Sequence, residues 1–268
     1  MGVIVDRVSV VRAYLLEMFS HGLPEFVRRD DREILMLLDG VGGFQFIPLL
    51  VRKVLRDADS PISSTWFRWQ APIPGLMLVD LMWRTRNQRR AEMLADKLLA
   101  LHRNHPDARI HIISYSGGAG VAVFALELLK GRVPIESLLL FAPAISPSYN
   151  LGPALRRVHR AYVMMSRKDT WLLGAGTRLF GTMDRKRVRS AGMVGFAVPP
   201  ELSVEDQQSY KRIRIIEWCD DFRRYGHSGG HTGWAQVSFL RQHLQGLLAG
   251  QPTLPTRSLD VYAQNGNK

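Results

Sequence analysis

From residue 33 onward, short apolar runs alternate along the chain with stretches of helical periodicity. Continuous apolar runs are typical of strands that are buried on both faces, and an intervening helix returns the chain for the next parallel strand. The sequence predicts strands at 34–38, 64–70, 109–114, 137–141, 161–165 and 212–218. It predicts helices at 46–55, 87–102, 121–129, 151–158 and 234–248, and it leaves 76–82 open between strand and helix. We therefore expect an α/β fold with a mostly parallel sheet and helices on both faces.

The length of 268 residues fits a single domain with one core. We expect residues 33–248 to form this core and residues 251–268, which have a polar ending, to form a loose tail. Residues 1–22 are predicted to form an N-terminal helix, because apolar side chains recur every three or four positions within 3–19. This helix is expected to pack on the core, and peripheral contact of 3–19 with an anionic membrane is the less favoured alternative.

The chain is basic, with 36 lysines and arginines against 24 acidic residues and a formal charge of +12. Such a balance can indicate affinity for nucleic acid, anionic lipid or an acidic substrate. Most of the basic residues are scattered arginines, apart from the cluster at 185–189, and no nucleic-acid recognition motif accompanies them. We therefore expect no nucleic-acid partner.

The sequence also carries signals of cellular compartment. No uncharged apolar stretch approaches the ~18–20 residues that are needed to cross a bilayer. Charged residues interrupt 1–22, and no small-residue cleavage site follows, which argues against a signal peptide. The lone cysteine, Cys219, excludes an intramolecular disulfide framework. These features predict a cytoplasmic protein without a transmembrane span.

One serine lies in a setting that suits nucleophilic catalysis. Ser116 falls between the predicted strand 109–114 and the predicted helix 121–129, within the run Ser-Tyr-Ser-Gly-Gly-Ala-Gly. A tight turn from strand to helix exposes the serine oxygen, and its close packing requires small residues two positions before and two after. Ser114 and Gly118 occupy these positions. The alternative interpretation is a glycine-rich turn without chemical function.

The segment 110–120 resembles the nucleophile elbow of the α/β-hydrolase superfamily, which is usually Gly-x-Ser-x-Gly, with serine here in place of the first glycine. In that superfamily an acid and then a histidine follow the nucleophile, each on a loop after a later strand. Asp169 follows the predicted strand 161–165, and His231 lies shortly before the last predicted helix. The resemblance therefore implies an α/β-hydrolase fold with a serine-hydrolase site.

The resemblance assigns a role to each of these residues. His231 would accept the proton of Ser116, and Asp169 would fix the tautomer of the imidazole and stabilise its positive charge. Alternatives exist for two of the three roles, since His227 competes for the base and Asp184, Asp220 and Asp221 compete for the acid. Asp169 could also act only as a helix N-cap before Thr170.

Acyl transfer also requires two donors directed at the developing oxyanion. The resemblance implies the backbone N–H of Gly117, the residue after the nucleophile, as one donor. The second donor normally lies in the loop after an early strand, and we expect the N–H of Val41 in the glycine-rich segment 38–44. Asp39 departs from the His-Gly sequence that the superfamily often has in this loop.

Two other kinds of site are weaker interpretations. Residues 118–123 have the glycines of a dinucleotide loop in part, but the third glycine and the acid after the next strand are missing. Cys219, His227 and His231 could suggest zinc, although Gly229-Gly230 disfavours the helix that would bring the two histidines together. We therefore predict neither a cofactor nor a metal.

Together these features predict a serine hydrolase of the carboxylesterase or lipase type, acting on a small ester or acyl compound through an acyl-enzyme. Four aromatic residues near the catalytic loops favour an apolar acyl group: Phe44, Phe46, Trp171 and Trp234. The segment 146–160 is too short for a large cap, so an open site is expected. A catalytically silent binding protein of the same fold and transfer to an acceptor other than water remain the alternatives, and the oligomeric state stays open.

Overall fold

One sheet of seven strands forms the centre of the described part of the protein, which in this computed structural model comprises residues 31–71 and 76–259. The strands are β1 Glu33–Leu38, β2 Ser63–Trp66, β3 Arg109–Tyr115, β4 Ile135–Phe141, β5 Val158–Met165, β6 Ile213–Glu217 and β7 Arg257–Ser258. Their order across the sheet is β2-β1-β3-β4-β5-β6-β7. Neighbouring strands from β2 to β6 pair in parallel, and β7 pairs antiparallel with β6. The predicted α/β fold with a mostly parallel sheet is confirmed.

The helices of the described residues form two layers. They are α1 Phe46–Asp57, α2 Met77–Met82, α3 Arg84–Asn104, α4 Gly117–Leu129, α5 Gly152–Leu155, α6 Thr177–Phe180, α7 Ala191–Val194, α8 Val204–Tyr210 and α9 Val237–Leu248. A π-helix covers Trp171–Gly176, and 3-10 helices cover Asp220–Tyr225 and His231–Ala235. Helix α3 packs on α4, α4 on α5 and α5 on α8, whereas α1 packs on α9. These two groups cover the two faces of the sheet, as a parallel sheet with crossover helices requires.

The core lies between the sheet and its helices. The side chains of β1 from Ile34 to Leu38 are completely buried, and those of β4 from Leu138 to Phe141 are at most 1% exposed. Because helices cover both faces, consecutive residues of a strand need apolar side chains, and each fully buried one contributes ~1.5–3 kcal/mol by leaving water. This is why the strands were visible as uninterrupted apolar runs.

Several boundaries differ from the sequence-based expectation. The open segment 76–82 is helical from Met77, and the strand predicted at 64–70 ends at Trp66. The helix predicted at 151–158 covers only Gly152–Leu155, because a turn at 156–157 leads directly into β5 at Val158. The final helix predicted at 234–248 is divided, since Gln236 has extended backbone angles (φ −65, ψ 130) between the 3-10 helix and α9.

The expectation of a loose tail at 251–268 is wrong for its described part. Residues Arg257 and Ser258 pair with Ile215 and Arg214 of β6, so the sheet extends beyond the last strand that the sequence predicted, at 212–218. Leu254 and Leu259 are 6% and 1% exposed, and this burial holds the segment on the protein. Residues 260–268 and the predicted helix at 1–22 lie outside the described residues, and the single domain stays a prediction.

Within the described ranges, none of the helices combines the length and the apolar character that a membrane crossing requires.

Candidate active site

The turn after β3 holds Ser116 in a strained backbone conformation. Its φ and ψ are 51 and −118, angles that an L residue rarely adopts and that cost ~1–3 kcal/mol. Backbone hydrogen bonds maintain this conformation: the N–H of Ser116 donates to the carbonyl of Phe141 (2.8 Å), and its own carbonyl accepts from the N–H groups of Ala119 and Ala144. The turn therefore directs the hydroxyl away from the sheet at the carboxyl end of β3.

The glycines after Ser116 are required by close packing. A Cβ on Gly117 would lie 2.8 Å from Cγ1 of Val41, and one on Gly118 would overlap the carbonyl oxygen of Asp39. A Cβ on Gly120 would lie 2.6 Å from Cβ of Met183. These close neighbours leave no room for a side chain at three positions of this first turn. Helix α4 begins at Gly117, four residues earlier than the apolar pattern indicated.

The structure brings Ser116, His231 and Asp169 together in one chain of hydrogen bonds. Nε2 of His231 lies 2.9 Å from Oγ of Ser116, and its Nδ1 lies 2.6 Å from Oδ2 of Asp169. A carboxylate can only accept, so Nδ1 carries the proton and Nε2 offers a lone pair to the serine hydroxyl. Asp169 is 3% exposed, which shields this interaction from water.

Local contacts join the loops that carry Asp169 and His231. The hydroxyl of Ser166, at the end of β5, donates to the carbonyl of Gly229 (2.6 Å), and the Nζ atom of Lys168 lies 4.0 Å from the ring centroid of Trp218. The hydroxyl of Tyr115 donates to the carbonyl of His231 at 3.2 Å. These contacts limit the freedom of the imidazole.

The structure gives the residues that compete for the base and for the acid other contacts, away from Ser116. His227 is completely buried, its Nδ1 accepts from the N–H of Gly229 (3.1 Å), and burial lowers the pKa of this imidazole to about 3. Asp184 accepts hydrogen bonds from the N–H and hydroxyl of Ser146. Asp220 and Asp221 are exposed at the start of a 3-10 helix. None of these four residues takes part in the chain of hydrogen bonds that joins Ser116, His231 and Asp169.

The residues that were considered for zinc do not form a metal site in the described chain, where no cluster of three or more histidine, cysteine, aspartate or glutamate side chains could hold an ion. Both ring nitrogens of His231 are already hydrogen-bonded, to Asp169 and to Ser116.

The loop after β1 lies against the turn at Ser116. A Cβ on Gly40 would lie 3.3 Å from Cβ of Ser116, and Val41 contacts Gly117 as described above. Asp39, which departs from the superfamily sequence, binds the start of α1, since its carboxylate accepts from the N–H groups of Phe46 (2.7 Å) and Ile47 (3.1 Å). Burial raises the pKa of this carboxyl to about 6, although those N–H groups favour its charged form.

Asp80 fixes the same loop from the other side, and the sequence interpretation missed this residue. Its Oδ2 accepts from the N–H of Gly42 (2.8 Å), and its Oδ1 accepts from the N–H of Ala71 (2.6 Å) and from Arg86 (3.2 Å). The side chain of Asp80 is completely buried. The sequence feature that could have pointed to Asp80 is its position as the single acidic residue in the otherwise apolar run 76–82.

Ser116 lines a cavity of about 610 Å³ with mostly apolar walls. Residues from two segments, 76–81 and 172–180, form these walls together with Val41, Tyr115, Ala144 and His231. The covering segments are therefore α2 and the π-helix with α6, not the segment 146–160 that was considered for a cap.

The four aromatic residues expected to shape the acyl site do not line this cavity. Trp234 is completely buried, with its ring 4.3 Å from that of His227. Phe44, Phe46 and Trp171 are exposed. The apolar walls come mainly from Leu, Met and Val side chains of the two covering segments, together with Phe180 and Tyr115. The local sequence does not reveal that these segments lie close together.

No family model matches the sequence, and no curated protein matches it. Among solved structures, carboxylesterase CesB from Bacillus subtilis is similar with a TM-score of 0.40 and 14% identity, covering 91% of this chain and 98% of that one. Naproxen esterase from the same organism has a TM-score of 0.38 and 14% identity, covering 89% of this chain and 96% of that one. A lipase-esterase related protein from Clostridium acetobutylicum has a TM-score of 0.43 and 8% identity, covering 85% and 96%.

The topology of the chain itself identifies the fold. The parallel order β2-β1-β3-β4-β5-β6, the strained turn that places Ser116 between β3 and α4, and the chain order of serine, aspartate and histidine occur together. This combination is the α/β-hydrolase fold.

Proposed function

We propose that the protein is a serine hydrolase that cleaves a carboxylic ester or a related acyl bond through an acyl-enzyme. The observation that carries this proposal is the pair of hydrogen bonds on His231, at 2.9 Å to Oγ of Ser116 and 2.6 Å to Oδ2 of Asp169. A serine hydroxyl by itself is a weak nucleophile, and an imidazole positioned in this way supplies the base that it needs.

In the proposed first step, Oγ of Ser116 attacks the carbonyl carbon of the ester while its proton moves to Nε2 of His231. The carbonyl oxygen becomes an oxyanion, which the N–H groups of Gly117 and Val41 stabilise. The N-terminus of α4, which begins at Gly117, adds its positive dipole end at the same point. The tetrahedral species then collapses, His231 donates its proton to the leaving alcohol, and the acyl group stays on Ser116.

In the second step, water attacks the acyl-enzyme while His231 accepts one of its protons. Collapse of the second tetrahedral species breaks the bond to Ser116, the serine oxygen regains its proton from His231, and the free acid leaves. Asp169 holds the imidazole in one tautomer throughout and stabilises its cationic form. The apolar walls of the 610 Å³ cavity support an apolar acyl group as the part of the substrate that they receive.

Labelling with a fluorophosphonate probe tests the proposal without the choice of a substrate. The purified protein is treated with the probe, and the modified residue is mapped by mass spectrometry in the wild type, Ser116→Ala and His231→Ala. Ser228→Ala is the matched control, since Ser228 is exposed in the loop that carries His231.

We expect labelling of Ser116 that is lost in Ser116→Ala and His231→Ala and kept in Ser228→Ala. Circular dichroism verifies that every variant is folded. A folded wild type that is not labelled would contradict the proposal and favour a catalytically silent binding protein. A positive result justifies a panel of esters and thioesters with water or an alcohol as the acceptor.

A further inference from the structure

Exposed apolar side chains lie on and beside the segments that line the cavity at Ser116. They project from two segments, 76–84 and 167–180, in which α2 contacts α6. Six of them, each between 41% and 85% exposed, form what we call the apolar rim: Met77, Leu78, Trp83, Trp171, Leu172 and Leu179. Proteins that stay in water rarely expose so many large apolar side chains together, and such a surface marks an interaction site.

The apolar rim is continuous with the wall of the cavity. Met77, Leu78 and Leu172 line the cavity and are also 41% to 49% exposed to solvent. An apolar molecule can therefore pass from the rim to the cavity without crossing a polar surface. The apolar rim is thus the entrance to the cavity at Ser116 as well as an exposed apolar surface.

The exposed charges of the two rim segments are basic. Arg84 and Arg178, each adjacent in sequence to a rim residue, are exposed. The acidic residues of the same segments, Asp80 and Asp169, are 0% and 3% exposed and bind groups inside the protein. The two rim segments therefore combine exposed apolar side chains with exposed positive charge, and the acidic residues near Arg84 (Glu92, Glu127 and Asp184) line a separate cavity with it.

A cluster of basic residues adjoins one side of the rim. All five residues of 185–189, Arg-Lys-Arg-Val-Arg, are exposed. The next residue, Ser190, donates its N–H to the carbonyl of Leu173 (3.1 Å), which lines the cavity beside the rim residue Leu172. This cluster adds positive charge close to the opening.

We propose that the apolar rim docks on an anionic phospholipid surface, from which an apolar ester enters the cavity. Tryptophan and leucine beside arginine are the side chains that suit the boundary between acyl chains and anionic headgroups. A lipid surface would cover the rim and would itself supply apolar molecules to the entrance of the cavity. A folded protein partner would cover the rim and close the entrance. A second copy in a symmetric dimer would bring the basic residues of both rims, Arg84 and Arg178 in each, into one interface. The entry of substrate rests on the proposed hydrolase function, but the docking itself does not require catalysis.

Flotation with vesicles tests the docking. Full-length protein with Ser116→Ala, which prevents turnover of lipid, is mixed with vesicles of equal parts phosphatidylglycerol and phosphatidylcholine or of phosphatidylcholine alone. Leu179→Asp and Trp171→Asp alter rim residues that do not line the cavity. Val204→Asp is the matched control, because Val204 is 72% exposed, against 66% for Leu179. Val204 lies on α8, whose Asp206 is 3.8 Å from Arg156 near the start of β5, at the opposite end of the sheet from Ser116.

We expect binding to the anionic vesicles that weakens with salt, and a loss of about tenfold or more in each rim variant but not in Val204→Asp. With Ser116 restored, the rim variants should hydrolyse a short soluble ester at the wild-type rate and lose about tenfold on a long-chain ester held in vesicles. Retained turnover of the soluble ester without any vesicle binding would overturn the docking and leave the proposed function intact.

The same variants distinguish docking on lipid from three alternatives: a dimer, membrane contact through residues 3–19, and binding that is not specific to the rim. A dimer in sedimentation velocity that is abolished by Leu179→Asp, without vesicle binding, would assign the rim to a second copy and overturn the proposal. Vesicle binding that survives both rim variants and is lost in Leu15→Asp would assign the contact to residues 3–19 and overturn it as well. An equal loss in Val204→Asp would show that the binding is not specific to the rim and would also overturn it.

Discussion

Nε2 of His231 lies 2.9 Å from Oγ of Ser116, although the two residues are 115 positions apart in the sequence. Ser116 is held by the turn between β3 and α4, and His231 begins a 3-10 helix after β6. Because parallel strands all end at the same edge of the sheet, loops that are distant in sequence meet there. The hydrolase activity proposed for this edge depends on how rigidly these loops are held, which the following predictions address.

Asp169→Asn should lower kcat on an ester substrate by about 10⁴-fold with little change in KM. The amide can donate to Nδ1 of His231, which would favour the tautomer that cannot accept the proton of Ser116. Asp220→Asn, which changes an exposed competing acid, is the control and should keep wild-type kinetics. Equal kinetics for wild type and Asp169→Asn would contradict the assignment of the acid.

Asp80→Asn should lower kcat by about 10- to 100-fold, since the loop with Val41 would lose part of its support and the N–H of Val41, the proposed oxyanion donor, would shift. An asparagine oxygen can replace only some of the bonds that the carboxylate accepts from Gly42, Ala71 and Arg86. Steady-state kinetics measure this effect, and thermal unfolding should show a loss of ~1–3 kcal/mol. Asp96→Asn, an exposed substitution on α3, should change neither quantity.

Gly118→Ala should destabilise the protein by ~1–3 kcal/mol, because the new methyl group would overlap the carbonyl oxygen of Asp39. That backbone belongs to the loop of Val41, so ester turnover should fall as well. Gly230→Ala is the matched control, since no atom lies within 4 Å of the added Cβ, and it should stay within ~0.5 kcal/mol of the wild type. Urea unfolding of the two variants decides the prediction, and similar losses in both would refute it.

His227→Phe should retain labelling of Ser116 and lose stability at neutral pH, because it leaves the N–H of Gly229 without its acceptor. Burial lowers the pKa of His227 from 6.5 to about 3, so only the unfolded chain binds a proton between these values. The wild type therefore loses stability through this residue as the pH falls below 6.5, by ~1.4 kcal/mol per pH unit. The phenylalanine does not titrate, and the stability difference between the two proteins should shrink on acidification. A difference that is constant from pH 7 to pH 5 in urea unfolding would contradict this account.

Local patterns predicted much of the fold. Strands β1, β3, β4 and β6 were found within about a residue or two at each end, because residues that are buried on both faces must be apolar at consecutive positions. The boundaries failed where a distant contact decided them. The strand predicted at 64–70 ends early, and Trp69 beyond it donates its indole N–H to the carbonyl of Asp39 (2.8 Å).

The amino-acid sequence by itself determined the alternation of strands and helices, the small residues around Ser116 and the order of serine, aspartate and histidine along the chain. These properties depend on residue type and spacing within short segments. Only the tertiary structure decided that Asp80 supports the loop of Val41, that β7 extends the sheet, and that the segments 76–81 and 172–180 line the cavity while Trp234 is buried beside His227. Each of these results depends on which distant segments pack together, and local periodicity does not encode that choice.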